Sequence, residues 1–231
     1  MSLRSSHGSY AQLPLDDASA VASVLRLSAK YEVNALRLQV IRTIAPFFPT
    51  TLSSYKGLTD KMASDPAFKH PFSSAVDLCH LASAFEVAAP SFLPYTLLML
   101  QRDPTPIFRI VDAVTNGPMG SQRRLLSPKL RRALLQGRSL LTLHARYEVY
   151  LALFRPTNCC DAAKISLLNK ILGPDGFIDP LHPRTINGFC KQCKKEIQRA
   201  IDVGRVKVWR ELPENFGLPA WDELKKTTLD Q

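Results

Sequence analysis

Four of the five cysteines in this 231-residue chain form two close pairs, Cys159-Cys160 and Cys190-x-x-Cys193. Cys190 and Cys193 stand at the start of a helical pattern, where i, i+3 spacing puts both sulfurs on one face. Cys159 and Cys160 also stand near a helix start. Two thiol pairs presented by helix ends could supply the four sulfurs of a tetrahedral zinc site. The spacing argues the other way. The segment between the pairs, 161–189, is longer than common zinc templates allow. Adjacent residues on a helix also diverge by about 100°, which makes joint ligation by Cys159 and Cys160 awkward. His182 is a possible substitute ligand. The same thiols also read as small core residues or as a redox pair. All three readings stay open, with the expectation that Cys159 or Cys160 comes near Cys190 and Cys193. Sulfurs more than about 7 Å apart exclude both a shared metal and a disulfide. Cys79 reads as a core residue.

Other chemistry is hard to find. The chain has no Gly-x-Ser-x-Gly, no His-Glu-x-x-His, and no phosphate- or dinucleotide-binding glycine motif. His7, His70, His80, His144 and His182 are scattered, and no partner pattern surrounds any of them. No catalytic residue, no enzyme activity and no cofactor besides zinc is expected. Basic residues form two groups, one of Arg123, Arg124, Lys129, Arg131 and Arg132 and one of Lys191, Lys194, Lys195 and Arg199. They would neutralise phosphates, but few aromatics are interleaved and no DNA-reading motif accompanies them. A solvated helix face is the preferred reading, so nucleic-acid binding should be weak and unspecific.

Composition bounds the rest. An apolar fraction of 45% and 22% charged residues mark a globular chain, and a net charge of +10 permits acidic partners without naming one. The polar start, the lack of an apolar run of bilayer length and the few cysteines give an intracellular expectation, with no membrane partner.

The positioning elements read as helices throughout, an all-α irregular bundle of about nine. Val24, Leu27 and Tyr31, then Val33, Leu36, Val40, Ile41 and Ile44, predict an antiparallel helix pair over 19–45, with Asn34 as the second N-cap and Pro46 as the stop. Residues 56–71 read as a loop after one short turn capped by Thr50 or Thr51. Ser74 with Asp77 opens a helix to Pro90, and another follows to about Arg102. Thr105-Pro106 and Ser127-Pro128 are further start signals. The second opens a long helix to about Arg155, lined by Leu130, Leu134, Leu141, Tyr147, Leu151 and Phe154. Gly137 within it predicts a close neighbour. Helices over 161–172 and about 188–210 precede a closing segment in which Trp209, Leu212, Phe216, Leu218 and Trp221 fold back as a clasp. No convincing strand is visible.

VLRLSAKYEV, LRLQVIRTI and FPTTLSSY resemble the last helices of a BTB/POZ domain, in the form found in BTB-protein families of basidiomycete fungi. AVDLCHLASAFEVAAPSFLPYTLLML, LSPKLRRALLQGRSLL and the closing FCKQCKKEIQRAIDVGRVKVWRELPENFGLPAWDEL are similar to later parts of that family. The resemblance covers about 19–228, and no counterpart of the domain's strands and leading helices precedes residue 19. It divides the chain into a flexible lead-in (1–18), the C-terminal helices of a BTB-like domain (19–58) and a helical C-terminal region (59–231). It implies a non-catalytic protein-interaction module that dimerises or presents adaptor surfaces, at times to cullin-type ubiquitin ligases. The missing front half removes the usual dimerisation and cullin surfaces, as in a truncated gene model or a degenerate paralogue. A basic nucleic-acid-associated protein and a zinc-stabilised helical scaffold are the alternatives. With the front half gone, Val21, Leu25, Leu36, Val40 and Ile44 are expected to form an exposed apolar patch that drives self-association or partner binding and leaves the chain marginally stable.

Overall fold

Asp17 begins the first helix by accepting a hydrogen bond from the Ala20 amide at 2.9 Å, which satisfies one of the free N–H groups of α1 (Ala18–Lys30). The computed structural model describes residues 17–103, 106–116, 122–154, 159–172, 179–181 and 187–229. The lead-in ahead of Asp17 and His182 lie outside the described residues. α2 (Asn34–Ile44) follows, then α3 (Leu52–Ser64), α4 (Ala75–Ala88), α5 (Leu93–Arg102) and α6 (Ile107–Val111). After a two-stranded ribbon come α7 (Pro128–His144), α8 (Asp161–Leu172), α9 (Lys191–Arg210), α10 (Leu212–Asn215) and α11 (Trp221–Leu229). The class is all-α. The one departure is that ribbon, in which β1 (Val114–Asn116) pairs antiparallel with β2 (Gln122–Arg124).

α1 turns into α2 through a Schellman closure. Glu32 takes the left-handed conformation (φ 56°), the Val33 amide reaches the Ser28 carbonyl at 2.9 Å, and the Glu32 amide reaches Ala29 at 3.4 Å. Those bonds use up the connecting residues, so Asn34 enters α2 as its first residue and caps nothing. The buried face of α1 is also one step away from the expected stripe. Ala18, Val21, Ala22 and Leu25 are buried, whereas Leu27 and Tyr31 are exposed. Val21, Leu25, Val40 and Ile44 are all at or below 1% exposure and Leu36 is partly buried. The expected apolar patch on these five residues is therefore corrected. Small Ala18, Ala22 and Ala82 are buried where α1 and α4 make the most extensive helix contact among the described residues, and α2 packs against α1, so Val21, Leu25, Val40 and Ile44 all lie in the core. The boundary expected at 58/59 falls inside α3, and the core runs across it.

Four further expectations need adjustment. Helix α3 runs through most of the expected 56–71 loop, capped by Thr51, although only Tyr55 and Leu58 are buried along it. The helix after Pro106 stops at Val111, where the chain turns into the ribbon. The long helix ends as α-helix at His144 and continues as a π-helical turn (Ala145–Val149) and a 3-10 turn (Leu151–Phe154). The wider winding rotates the following residues, so Tyr147 and Leu151 leave the apolar stripe and are exposed. Gly137 and Gly204 are both sites of close approach. A Cβ on Gly137 would enter the Phe216 ring, and one on Gly204 would enter the Glu148 carbonyl.

An aromatic cluster holds the centre. The Phe48 ring lies 5.0 Å from Phe85, 5.8 Å from Phe72, 5.7 Å from Phe92 and 6.2 Å from Tyr95. Tyr55 links Tyr95 to Trp209, and Trp209 stacks on Trp221 at 5.4 Å with an 11° tilt. The Trp221 indole N–H donates to the Trp209 carbonyl at 2.8 Å, which completes the expected clasp of Trp209, Leu212, Phe216, Leu218 and Trp221. Among the described residues, no helix is long and apolar enough to cross a membrane.

Candidate metal centre

Helices α8 and α9 begin side by side, each directly after a cysteine. Cys160 precedes Asp161, and its carbonyl accepts from the Lys164 amide at 3.0 Å to open α8. Cys190 is the N-cap of α9, where its carbonyl accepts from Lys194 at 2.9 Å and its sulfur from the Cys193 amide at 3.5 Å. Cys190 and Cys193 therefore share one face, as their spacing requires.

The obstacle seen in the adjacent pair disappears in three dimensions. Cys160 adopts a left-handed backbone (φ 67°), so Cys159 and Cys160 do not follow helical geometry and their sulfurs converge. The Cys159 sulfur is 3.2 Å from that of Cys193 and 3.8 Å from that of Cys190. All four sulfurs lie within 4.8 Å of one another. A tetrahedron with metal–sulfur bonds of about 2.3 Å has edges of about 3.8 Å. A disulfide needs about 2.05 Å, and all four thiols are free. The cluster is within metal-binding distance.

Hydrogen bonds fit the same chemistry. The Cys190 amide donates to the Cys160 sulfur at 3.1 Å. At Cys190 the Cys193 amide is the main influence, followed by the neighbouring thiols, and together they lower the thiol to about 7. Cys193 moves in the opposite direction, held protonated by its bonds to Cys159 and then Cys190. Cys190 and Cys193 therefore lose their protons unequally. A cation at the centre would take the place of those protons. Cys193 is buried, Cys160 half-buried, and Cys159 and Cys190 are exposed, so the centre sits at the surface where α8 and α9 begin. Four sulfurs fill a tetrahedral shell and leave no open position.

The remaining candidates stay apart. Cys79 lies in the core on α4, where burial, and secondarily Asp103, pushes its thiol up to about 12. His70 is buried between Phe47 and Phe48. Its Nε2 is 3.0 Å from the Phe47 carbonyl, and its Nδ1 accepts from the Phe72 amide at 3.2 Å. That amide fixes the tautomer as Nε2–H and leaves no lone pair for a ligand. His80 is half-buried on α4, and His144 faces Asn215 and Glu211. One link was not visible in the residues: Lys207 of α9 donates to Glu148 at 2.6 Å beside the Gly204 crossing, which ties α9 to the π turn. A glycine interrupting the apolar stripe of α9 was the only signal of it.

No protein-family model, curated protein or solved structure matches this chain.

Proposed function

We propose that the chain is a non-catalytic helical scaffold for protein interaction, stapled by one structural zinc ion held by Cys159, Cys160, Cys190 and Cys193. The single observation that carries this reading is the convergence of four sulfurs from two helix starts to within 4.8 Å. Thiolate ligands and tetrahedral spacing favour zinc over harder ions such as magnesium or calcium. A filled four-sulfur shell matches structural rather than catalytic zinc. The BTB-type relationship rests on the residue likeness of 19–228 and suggests the same class of role, an adaptor for other proteins. Elemental analysis of chain purified under reducing conditions tests the metal. One zinc per chain, reduced in Cys159→Ser and in Cys193→Ser, is expected. A full-length, folded chain that takes up no zinc on titration would remove the reading.

A further inference from the structure

Helix α9 buries Cys193, Ile197, Ile201, Gly204 and Val208 on one side. Helical geometry sends Lys191, Lys195, Arg199, Val203 and Val206 to the opposite side, with Lys194 at its edge. This side is divided along its length. Its first half carries exposed Lys191, Lys194, Lys195 and Arg199, and among the described residues none of the four makes an ion pair. Its second half exposes Val203 at 67% and Val206 at 56%, high values for apolar residues inside a well-packed helix. Asp202, the acid between the halves, is engaged by Arg205 at 3.5 Å and by Gln198 at 3.2 Å, so its charge does not offset the cations. The apolar half continues across the helix crossing. Gly204 brings the α9 backbone against Glu148, and the segments that α9 packs on there expose Tyr147 and Leu151. Both ends of the face are anchored, one by the cysteine cluster and the other by the Lys207–Glu148 pair.

We propose that this face of α9 docks an acidic, amphipathic helical segment of a partner protein. Acidic residues of the partner would lie over the lysine and arginine half, and a pair of large apolar side chains over Val203 and Val206. Charge complementarity selects the sign, because the four cations outnumber the two acids of this stretch, Asp202, paired with Arg205, and Glu196, which accepts from Gln192. The exposed valines select the polymer. Phosphates gain nothing from Val203 and Val206, whereas an amphipathic helix buries both. The face spans about 22 Å from Lys191 to Val206, room for about 15 residues of partner helix. This inference deepens the scaffold reading and rests on it, because the cysteine cluster fixes the end of α9 that carries the cations.

Panning a random 16-residue peptide library against the full chain tests it, with counter-selection on Lys195→Glu/Arg199→Glu. Enriched peptides should be acidic and carry two clustered large apolar residues. By anisotropy the best of them should lose about tenfold or more in affinity to Lys195→Glu/Arg199→Glu and to Val203→Asp/Val206→Asp. All four positions are exposed, so unchanged circular dichroism melts will show that the variants fold. Enrichment of neutral or basic peptides, or binding to either variant as tight as to the parent chain, overturns the proposal. So does a 16-base-pair DNA duplex that binds more tightly than the best peptide and is lost in Lys195→Glu/Arg199→Glu. Self-association abolished by Val203→Asp/Val206→Asp, with no peptide competing for it, assigns the face to a second copy and also overturns it. Zinc content of the same samples separates the two readings. Bound zinc without acidic ligands sinks only the docking face, and acidic ligands without zinc sink only the metal.

Discussion

The aromatic centre and the cysteine corner solve the same problem, holding helices together, by opposite means. Around Phe48, five aromatic side chains that are almost fully removed from water meet, and no single contact is indispensable in kind. At the corner, the starts of α8 and α9 meet through four small sulfurs, two of them exposed, and among the described side chains of α8 only Lys164 and Leu167 are buried. Burial of apolar area stabilises the first region whatever the solvent contains. The second depends on what occupies the space between its sulfurs. A chain can therefore keep its core and still lose the geometry of one surface.

The largest effect should come from the centre. Phe48→Ala deletes a ring that touches five others, and should cost about 3–5 kcal/mol of global stability in a denaturant titration. Cooperative loss at all probes is expected. A change under about 1 kcal/mol would mean that the rings around Phe48 collapse into the space, and that the centre is less tightly packed than its ring distances imply.

Next in size is the joint between the regions. Gly204→Ala pushes a methyl group into the Glu148 carbonyl, a backbone atom that cannot swing away as a side chain would. Overpacking of this kind should cost about 1–3 kcal/mol. The same change should disturb the Lys207–Glu148 pair, detected as faster amide exchange around residues 145–149. Gly57, whose Cβ position meets nothing, is the control, and Gly57→Ala should be neutral or slightly stabilising.

Metal removal should separate the regions most clearly. A strong chelator under reducing conditions should release amide protection over 161–172 and the first two turns of α9, while protection of α4 and α5 and the Trp209–Trp221 signal persist. Global unfolding on chelation would make the corner part of the core. No change in exchange would leave the four thiols as ordinary packing.

How much of this was legible in the residues follows the same division. Ser74 and Ser127 mark the starts of α4 and α7 correctly, because a hydroxyl three residues ahead of a free amide is a local signal. Gly137 against Phe216 was equally readable as a glycine inside an apolar stripe. Helix α3 was hidden, since LSSYKGLTDKMAS offers only Tyr55 and Leu58 to the core and its helicity is fixed by packing. The face of α1 was misread by one position for a related reason. Alanines at 18 and 22 carry the contact with α4, while larger Leu27 and Tyr31 attract the eye and stand in solvent. At the cysteine corner the residue types were visible and the convergence was not. It depends on a left-handed Cys160, a backbone state that no side-chain pattern announces outside glycine, asparagine and aspartate. The 29 residues separating the pairs also carry no local signal of return.

The smallest expected effect tests the core through one proton. His70 sits among Phe47, Phe48 and Phe72, and burial lowers its pKa below the ordinary 6.5, against the opposing pull of its bonds to Phe47 and Phe72. The unfolded chain then binds a proton that the folded chain refuses. Stability is fully present above about 6.5, and it declines as pH falls through that value towards the lower folded one, with a slope of at most about 1.4 kcal/mol per pH unit for one proton. His80 is shifted the same way, by burial first and then by Arg26, and contributes with the same sign. His70→Gln keeps a donor near the Nε2 position and removes the titration. Its urea midpoint should therefore vary less between pH 7 and pH 5 than that of the parent chain, with the residual slope due to His80 and to the carboxylates. A parent slope that persists unchanged in His70→Gln would show that the Phe47–Phe48–Phe72 pocket admits water. The aromatic centre would then be as open to solvent conditions as the cysteine corner.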